Sequence, residues 1–259
     1  MPSLRPLAAL RDNYIWLLAE PATGSALVVD PGEASPVLQA LDADHLTLTT
    51  VLLTHHHADH IGGVPGLLAR FPDAAVYAPQ DDRIPFATRR VADGDTVSVA
   101  HPAAAFTVMA VHGHTRSHVA YYGSGTLFCG DTLFSLGCGR IFEGTPGQML
   151  ASLDRLAALP GATRVCCAHE YTLANGAFAV TVEPDNRALA ARVTAARALR
   201  ARGEPTLPAV LEDERAANPF LHVEAIADGG IPWPAGAARS PQRVARFAAL
   251  RLAKDNFRA

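Results

Sequence analysis

Apolar positions in the first two thirds of the chain fall into short runs, most of them stopped by glycine, proline or aspartate. IWLLAE, ALVVD, TVLLTH, AVYAP, TVSVA, FTVMAVH, VAYYG, TLFCGD and RVCCAH are each short and apolar or alternating, and they predict β-strands. Helical stretches fall between some of them, SPVLQALDA after Gly32 and TPGQMLASLDRLAAL after Gly144. Mixed strands and helices over this length predict two sheets with helices outside, an α/β (α+β) class. Near residue 172 the pattern changes. Leu189, Val193, Ala196 and Leu199 recur at helical spacing, with Asp185 as the expected N-cap and Gly203 as the C-cap. SPQRVARFAALRLAKDNF repeats the device, with Ser240 capping and Pro241 at the first helical position. A proline-broken connector ending in NPFLH separates the two. Residues 1–171 and 172–259 are therefore expected to form two domains, the second small and helical.

Composition narrows the partners. Half of the chain is hydrophobic (49%), enough for a sizeable core, and the net charge of -3 offers no basic excess to a polyanion. Nucleic acid and anionic membrane are disfavoured on that ground. No window approaches the roughly 18 apolar residues of a membrane span, and the N-terminal MPSLRPLAAL is broken by prolines. Cys129, Cys138, Cys166 and Cys167 are too few and too unevenly spaced for a disulfide framework and read as reduced thiols. A soluble, cytoplasmic, monomeric protein is expected. Two oddities remain: eleven histidines, and Lys254 as the only lysine among 22 basic residues.

The histidines have an order. TVLLTHHHADHIGG ends an apolar strand with three histidines, then Asp59 and His60, then a Gly-Gly turn. Alternate residues of an extended segment share a face, so His55 and His57 point together and His56 points away. Imidazoles with a carboxylate are ligand chemistry for zinc, iron or manganese. Further donors follow later apolar runs: His112 and His114 in VHGHT, Asp131 in LFCGDT, His169 in VCCAHEYT. The recurrence places all of them along one edge of the sheets.

HHHADH resembles the HxHxDH signature of the metallo-β-lactamase superfamily, and its order with GHT, GDT and AHEYT is similar to that superfamily's ligands. LFCGDTLFSLGCGRIFEGTPGQM, CCAHEYT and the C-terminal RLAKDNF resemble the glyoxalase II (hydroxyacylglutathione hydrolase) family more specifically. The resemblance runs from DNYIW at 12–16 to the last helix. It implies a metallo-β-lactamase αββα sandwich with a C-terminal helical domain. It also implies two divalent ions, zinc first and iron or manganese as alternatives. His55, His57 and His114 would bind the first ion, Asp59, His60 and His169 the second, and Asp131 both. Asp59 would in addition direct the attacking water. The implied substrate is a small glutathione thioester, S-D-lactoylglutathione. Arg251 and Lys254, one helical turn apart, would grip a carboxylate, and Arg140, Phe142 and Tyr171 would line the glutathione site. The chain departs from the family pattern at His112, usually proline, and at Ser117, usually glycine. Phe142 stands where some relatives carry tyrosine. A persulfide dioxygenase and a β-lactamase or lactonase resemble this pattern but are disfavoured by the C-terminal helices; a flavo-diiron protein would share the core fold, but its second ligand tends to be Glu, here His57, and residues 172–259 are expected to leave no room for its flavin domain.

Overall fold

The computed structural model describes residues 2–236 and 239–258. Contacts divide the chain into two units, Met1–Ala110 with Ser117–Gly130, and Val111–Arg116 with Asp131–Ala259.

In the first unit, β1 (Ser3–Ala9) pairs antiparallel with β2 (Asn13–Glu20), and β2 pairs antiparallel with β3 (Ser25–Val29). Helix α1 (Ser35–Ala43) then crosses to β4 (Thr47–Leu52), which runs parallel to β3. The short turn α2 (Ala58–Ile61) and helix α3 (Val64–Arg70) cross to β5 (Ala75–Pro79), and β6 (Arg89–Val91) completes the parallel half. Parallel neighbours cannot be joined by a tight hairpin, which is why helices fill these connections. Strands β7 (Thr96–Val99), β8 (Ala104–Ala110), β9 (Val119–Gly123) and β10 (Thr126–Gly130) form an antiparallel run in the order β10-β9-β8-β7.

Both faces of the first sheet are buried. Ile15, Leu17, Val28, Val51 and Val76 pack with Val37 and Leu41 of α1 and Val64 and Leu67 of α3 in one core. On the other face Trp16 lies 6.5 Å from Phe128 of β10, which lies 5.8 Å from Phe106 of β8. Two-sided burial explains why these strands read as continuous apolar runs. Strands β3 and β4 end side by side, Val29 opposite Leu52, and the Asp30 amide donates to the Leu52 carbonyl at 3.0 Å. Polar residues following them emerge at the carboxyl end of a parallel sheet, the edge at which α/β sheets bind ligands.

The second unit holds the hairpin β11 (Leu133–Phe134) and β12 (Gly137–Cys138), helix α4 (Pro146–Ala157), strand β13 (Arg164–Cys167) and helices α5 (Thr172–Val182) and α6 (Arg187–Ala201). Strand β14 (Ala209–Val210) pairs with β13, and helices α7 (Leu211–Ala217) and α8 (Arg243–Asn256) follow. Helix α4 starts with a capping box: Thr145 Oγ1 accepts from the Gln148 amide, and Gln148 Oε1 accepts from the Thr145 amide. Two helix starts differ from expectation. The N-cap of α6 is Asn186, not Asp185, because the Asn186 side chain reaches the Leu189 amide at 3.1 Å. Helix α8 begins at Arg243; Ser240 instead closes a turn before it by accepting from the Gln242 amide at 3.2 Å. Gly203 has φ +73 just past the end of α6, as a helix-terminating glycine should.

The β11–β12 turn is two residues long, and its second residue, Leu136, is fully buried at φ +59, a costly conformation for a branched side chain. Side chains of the C-terminal helices hold it. Glu214 of α7 accepts from the Ser135 hydroxyl at 2.6 Å and the Leu136 amide at 2.8 Å. Asn218 donates to the Phe134 and Gly137 carbonyls, and Asn175 of α5 donates to the Ser135 carbonyl. Burial pushes the Glu214 carboxyl above its ordinary range, against the pull of these donors. Glu214→Leu leaves two buried donors unsatisfied and is expected to cost about 3 kcal/mol. That corresponds to a thermal midpoint lower by roughly 6–12 °C. An unchanged midpoint in calorimetry would show that the turn does not depend on the carboxylate.

Candidate active site

In the first unit the segment after β4 brings its histidines together. His55 Nε2 and His57 Nδ1 lie 3.0 Å apart, while His56 turns toward Asp81, 3.6 Å away. A spacing of 3.0 Å suits two nitrogens that each sit roughly 2.0–2.1 Å from one ion. A chain of hydrogen bonds orients the rings. His55 Nδ1 lies 3.0 Å from Thr54 Oγ1, and Thr54 Oγ1 donates to Asp30 Oδ2 at 2.7 Å. His60 Nδ1 lies 3.0 Å from the same Asp30 oxygen, and the Thr54 amide donates to Asp30 Oδ1 at 2.8 Å. Asp30 thus engages the Nδ1 side of two buried imidazoles and leaves each Nε2 for a ligand bond, the arrangement that orients metal-binding histidines. Asp59 lies at the start of α2, where Asn13 Nδ2 donates to its Oδ2 at 3.1 Å and to its carbonyl at 3.2 Å. His118 is buried and stacks on His55, with ring centroids 4.6 Å apart. Gly32 makes this packing possible, since a Cβ there would lie 2.0 Å from the Asp59 carbonyl oxygen.

In the second unit Asp131 sits between two histidines. Its Oδ2 lies 3.4 Å from His114 Nε2 and its Oδ1 lies 3.4 Å from His169 Nε2. One carboxylate with a different oxygen toward each imidazole has the form of a bridging ligand. His114 Nδ1 lies 2.8 Å from the Arg140 carbonyl, which again leaves Nε2 for coordination. Tyr171 stacks on His169 at 4.7 Å and 8°, and Phe142 meets His114 edge-on at 5.3 Å. Gly139 allows the chain to fold back, because a Cβ there would lie 1.8 Å from the Asp131 carbonyl oxygen. In each unit, buried and oriented imidazole nitrogens with carboxylate oxygens close by are donors of a kind that fits divalent metal ions.

A cavity of about 410 Å³ opens beside Asp131 and His114. Arg140, Phe142, Tyr171, Arg251 and Lys254 all line it, together with Asp255, Phe257 and Arg258. The two cations of α8 differ in their surroundings. Arg251 is buried; it donates to the Cys138 carbonyl at 2.7 Å and to Asp255 Oδ1 at 3.0 Å, and it lies over the Phe220 ring. Lys254 is half-buried between Phe178 and Phe257 and donates to the Ala174 carbonyl at 3.3 Å. Burial, and then the charge of Arg251, push the Lys254 ammonium below its ordinary value.

The remaining sequence candidates fall into place around these groups. His112 is exposed, and its carbonyl accepts from Ser152. Ser117 donates to Asp81 at 2.5 Å, a contact that glycine could not make. The Arg83 guanidinium beside Asp81 holds that carboxyl well below the usual carboxylate range. All four cysteines are buried and unbridged. Asn13, Asp30, Thr54 and Asp255 were not singled out from the sequence. Their only local signals are polar residues at the ends of apolar runs, in DNYIW, VVDP and VLLTH, and an acid beside Lys254.

Known proteins bear on this geometry. The model of the metallo-β-lactamase superfamily matches residues 9–169, and the model of the hydroxyacylglutathione hydrolase C-terminus matches residues 170–257. A metallo-β-lactamase from Staphylococcus aureus subsp. aureus COL superposes with a TM-score of 0.65, at 19% identity, over 97% of this chain and 71% of that one. ETHE1 from Myxococcus xanthus superposes with a TM-score of 0.57, at 34% identity, over 65% of this chain and 76% of that one. The fold is thus the metallo-β-lactamase fold, with mixed sheets and a C-terminal helical region. Hydroxyacylglutathione hydrolases of Xanthomonas campestris pv. campestris (strain B100) and Xylella fastidiosa (strain M12) are each 53% identical. The first match covers 99% of both chains, the second 98% of this chain and 97% of the other. The chain belongs to the hydroxyacylglutathione hydrolase family.

Removing the shared second partner of the histidines tests the metal reading without recourse to activity. Asp30→Ala is expected to weaken metal binding about 10–100-fold, measured by competition with a chromophoric chelator. A competition curve that superposes on that of the unsubstituted protein would separate Asp30 from the centre.

Proposed function

We propose that this chain hydrolyses the thioester S-D-lactoylglutathione to D-lactate and glutathione, the second step of methylglyoxal detoxification. The observation that carries the reading is the cavity that sets Asp131 and His114 beside aromatic walls and basic side chains. Full-length relatives named hydroxyacylglutathione hydrolase support the same substrate.

His55, His57 and His114 are assigned to one divalent ion, Asp59, His60 and His169 to a second, and Asp131 to both. Zinc is the first choice, with iron or manganese also compatible with nitrogen and oxygen donors. Bound there, the ions supply Lewis acidity toward the thioester carbonyl and bring the pKa of water close to neutrality. Asp59, fixed by Asn13, directs the attacking water. Asp131 keeps its two oxygens toward His114 and His169. The leaving thiol has a pKa near ~8.5 and departs as a thiolate without a dedicated acid. Arg140, Phe142, Tyr171, Arg251 and Lys254 surround the glutathione moiety. Residues 1–171 are taken as the catalytic domain and 172–259 as the glutathione-binding domain. The protein is proposed to act in the cytoplasm, as a monomer. No helix among the described residues is long and apolar enough to cross a membrane.

The direct test is an assay of purified protein on S-D-lactoylglutathione beside metal analysis, with about two ions per chain expected. Metal-loaded protein that leaves the thioester intact would sink the reading. Asp131→Ala is expected to lose metal and activity together; full metal retention would refute its bridging role. Lys254→Ala is expected to raise KM several-fold more than it lowers kcat, since the carboxylates of glutathione are the same in ground and transition states. An unchanged KM would remove Lys254 from the site.

A further inference from the structure

His169 is buried between two rings of the second unit. Tyr171 stacks on it at 4.7 Å, and Phe134 meets it edge-on at 5.8 Å. Phe134 also meets Tyr171, at 5.3 Å. Both rings hang on the helical region. Asn218 donates to the Phe134 carbonyl at 3.1 Å. Glu170, which stands between His169 and Tyr171 in the chain, engages Thr206 with both oxygens. Its Oε2 accepts from the Thr206 amide at 2.8 Å and its Oε1 from the Thr206 hydroxyl at 2.6 Å. Thr206 is buried in the connection between α6 and β14, and the Thr172 hydroxyl at the start of α5 lies 2.6 Å from the same hydroxyl. Arg192 of α6 joins the two supports. Its Nη2 donates to the Thr206 carbonyl at 2.8 Å and to Ser135 Oγ, next to Phe134, at 3.0 Å.

We propose that Glu170 and Arg192 are positioning residues for His169: acting through Thr206, they aim a ring assigned to one of the two ions, although neither is assigned to an ion itself. The inference rests on the two-ion hydrolase reading and deepens it. A ring is aimed only as well as the chain beside it is fixed. Hydrogen bonds to a carboxylate are about twice as strong as neutral ones, and two of them to one residue leave the Glu170 side chain little freedom to rotate. The main chain at 170 is thereby tied to the α6–β14 connection. Arg192 ties that connection in turn to the β11–β12 turn, so the two rings packed against His169 share one support. Cutting this support displaces a ligand of one ion, and the two ions are then lost unequally.

Competition with a chromophoric chelator on the zinc-loaded full chain tests this, because it reads the ions independently of turnover. His169→Ala is the reference for the loss of one ion. Glu170→Gln keeps the shape of the side chain but only one acceptor oxygen; it is expected to weaken that ion about tenfold and leave the other unchanged. Arg192→Met is expected to weaken the same ion. Asn186→Ala removes the N-cap of α6, whose side-chain hydrogen bonds go to Leu189 and Ala216, outside this network. It is expected to lower the melting midpoint of the metal-stripped chain and leave both affinities unchanged. The proposal is overturned if either Glu170→Gln or Arg192→Met holds both ions like the wild type. It is equally overturned if they weaken both ions alike, or if Asn186→Ala weakens the same ion, because loosening of the helices would then be cause enough. A wild-type chain with fewer than two ions, or His169→Ala that keeps both, overturns the two-ion reading itself. Two ions in the wild type, one in His169→Ala and an indifferent Glu170→Gln overturn only this inference.

Discussion

Taking an imidazole or a carboxylate out of water costs several kcal/mol unless its polar atoms find partners. His55, His60, His114, His169 and Asp131 are all nearly out of water. The structure around His55, His60 and His114 is arranged to meet that requirement on one side of each ring. Asp30 receives His60 directly and His55 through the Thr54 hydroxyl. The Arg140 carbonyl receives His114. Satisfying Nδ1 fixes the ring orientation, and Nε2 is then the atom that faces the site. The same interactions that make burial tolerable therefore select the ligand atoms. Asp30 pairs through its backbone with β4, and Arg140 lies two residues past the end of β12, so strand geometry is passed to the site through few rotatable bonds.

The second unit meets the same constraint with carboxylates and amides. Glu214, Asn218 and Asn175 lie on helices or at their ends, yet their hydrogen bonds go to the β11–β12 turn. That turn follows Asp131 by a few residues and precedes Arg140 by a few more. A helical region that is distant in sequence thereby sets the path of the segment between a candidate ligand and a candidate substrate contact. Its cost is a buried leucine with positive φ and a buried carboxylate, both tolerable only because each supplies what the other lacks.

Much of this was legible in the sequence, for reasons that differ by residue. The nine apolar runs are all strands: burial on both faces leaves little polar character in β2, β3 and β10, while β7 and β8 alternate between buried and exposed positions. His55, His57, Asp59 and His60 were legible because a strand end rarely gathers four ligand-type residues within six positions unless they serve a common centre. Strand β1 was not, since Pro2 and Pro6 break the run and only its pairing with β2 fixes it. Strands β11, β12 and β14 are two residues long, below the reach of any period. Helices α5 and α7 lack a strong one-sided pattern, being mostly apolar and mostly charged respectively. Asp30 and Asn13 look like ordinary turn residues; what distinguishes them is a partner 30 or 46 positions away. The Arg251–Lys254 spacing was legible as a pair on one helix face, but the difference in burial between the two depends on Cys138, Phe220 and Asp255, which no spacing reveals.

The distribution of charge around the cavity has a kinetic consequence. Hydrolysis changes the acyl group and leaves the carboxylates of the thiol untouched, so cations that hold those carboxylates bind substrate, transition state and product alike. Such contacts set KM and the affinity for the product, and they leave the chemical step alone. A cavity with four uncompensated cations would retain product as strongly as it captures substrate. Asp255 offsets two of the four and commits them to holding α8 to the β12 segment instead.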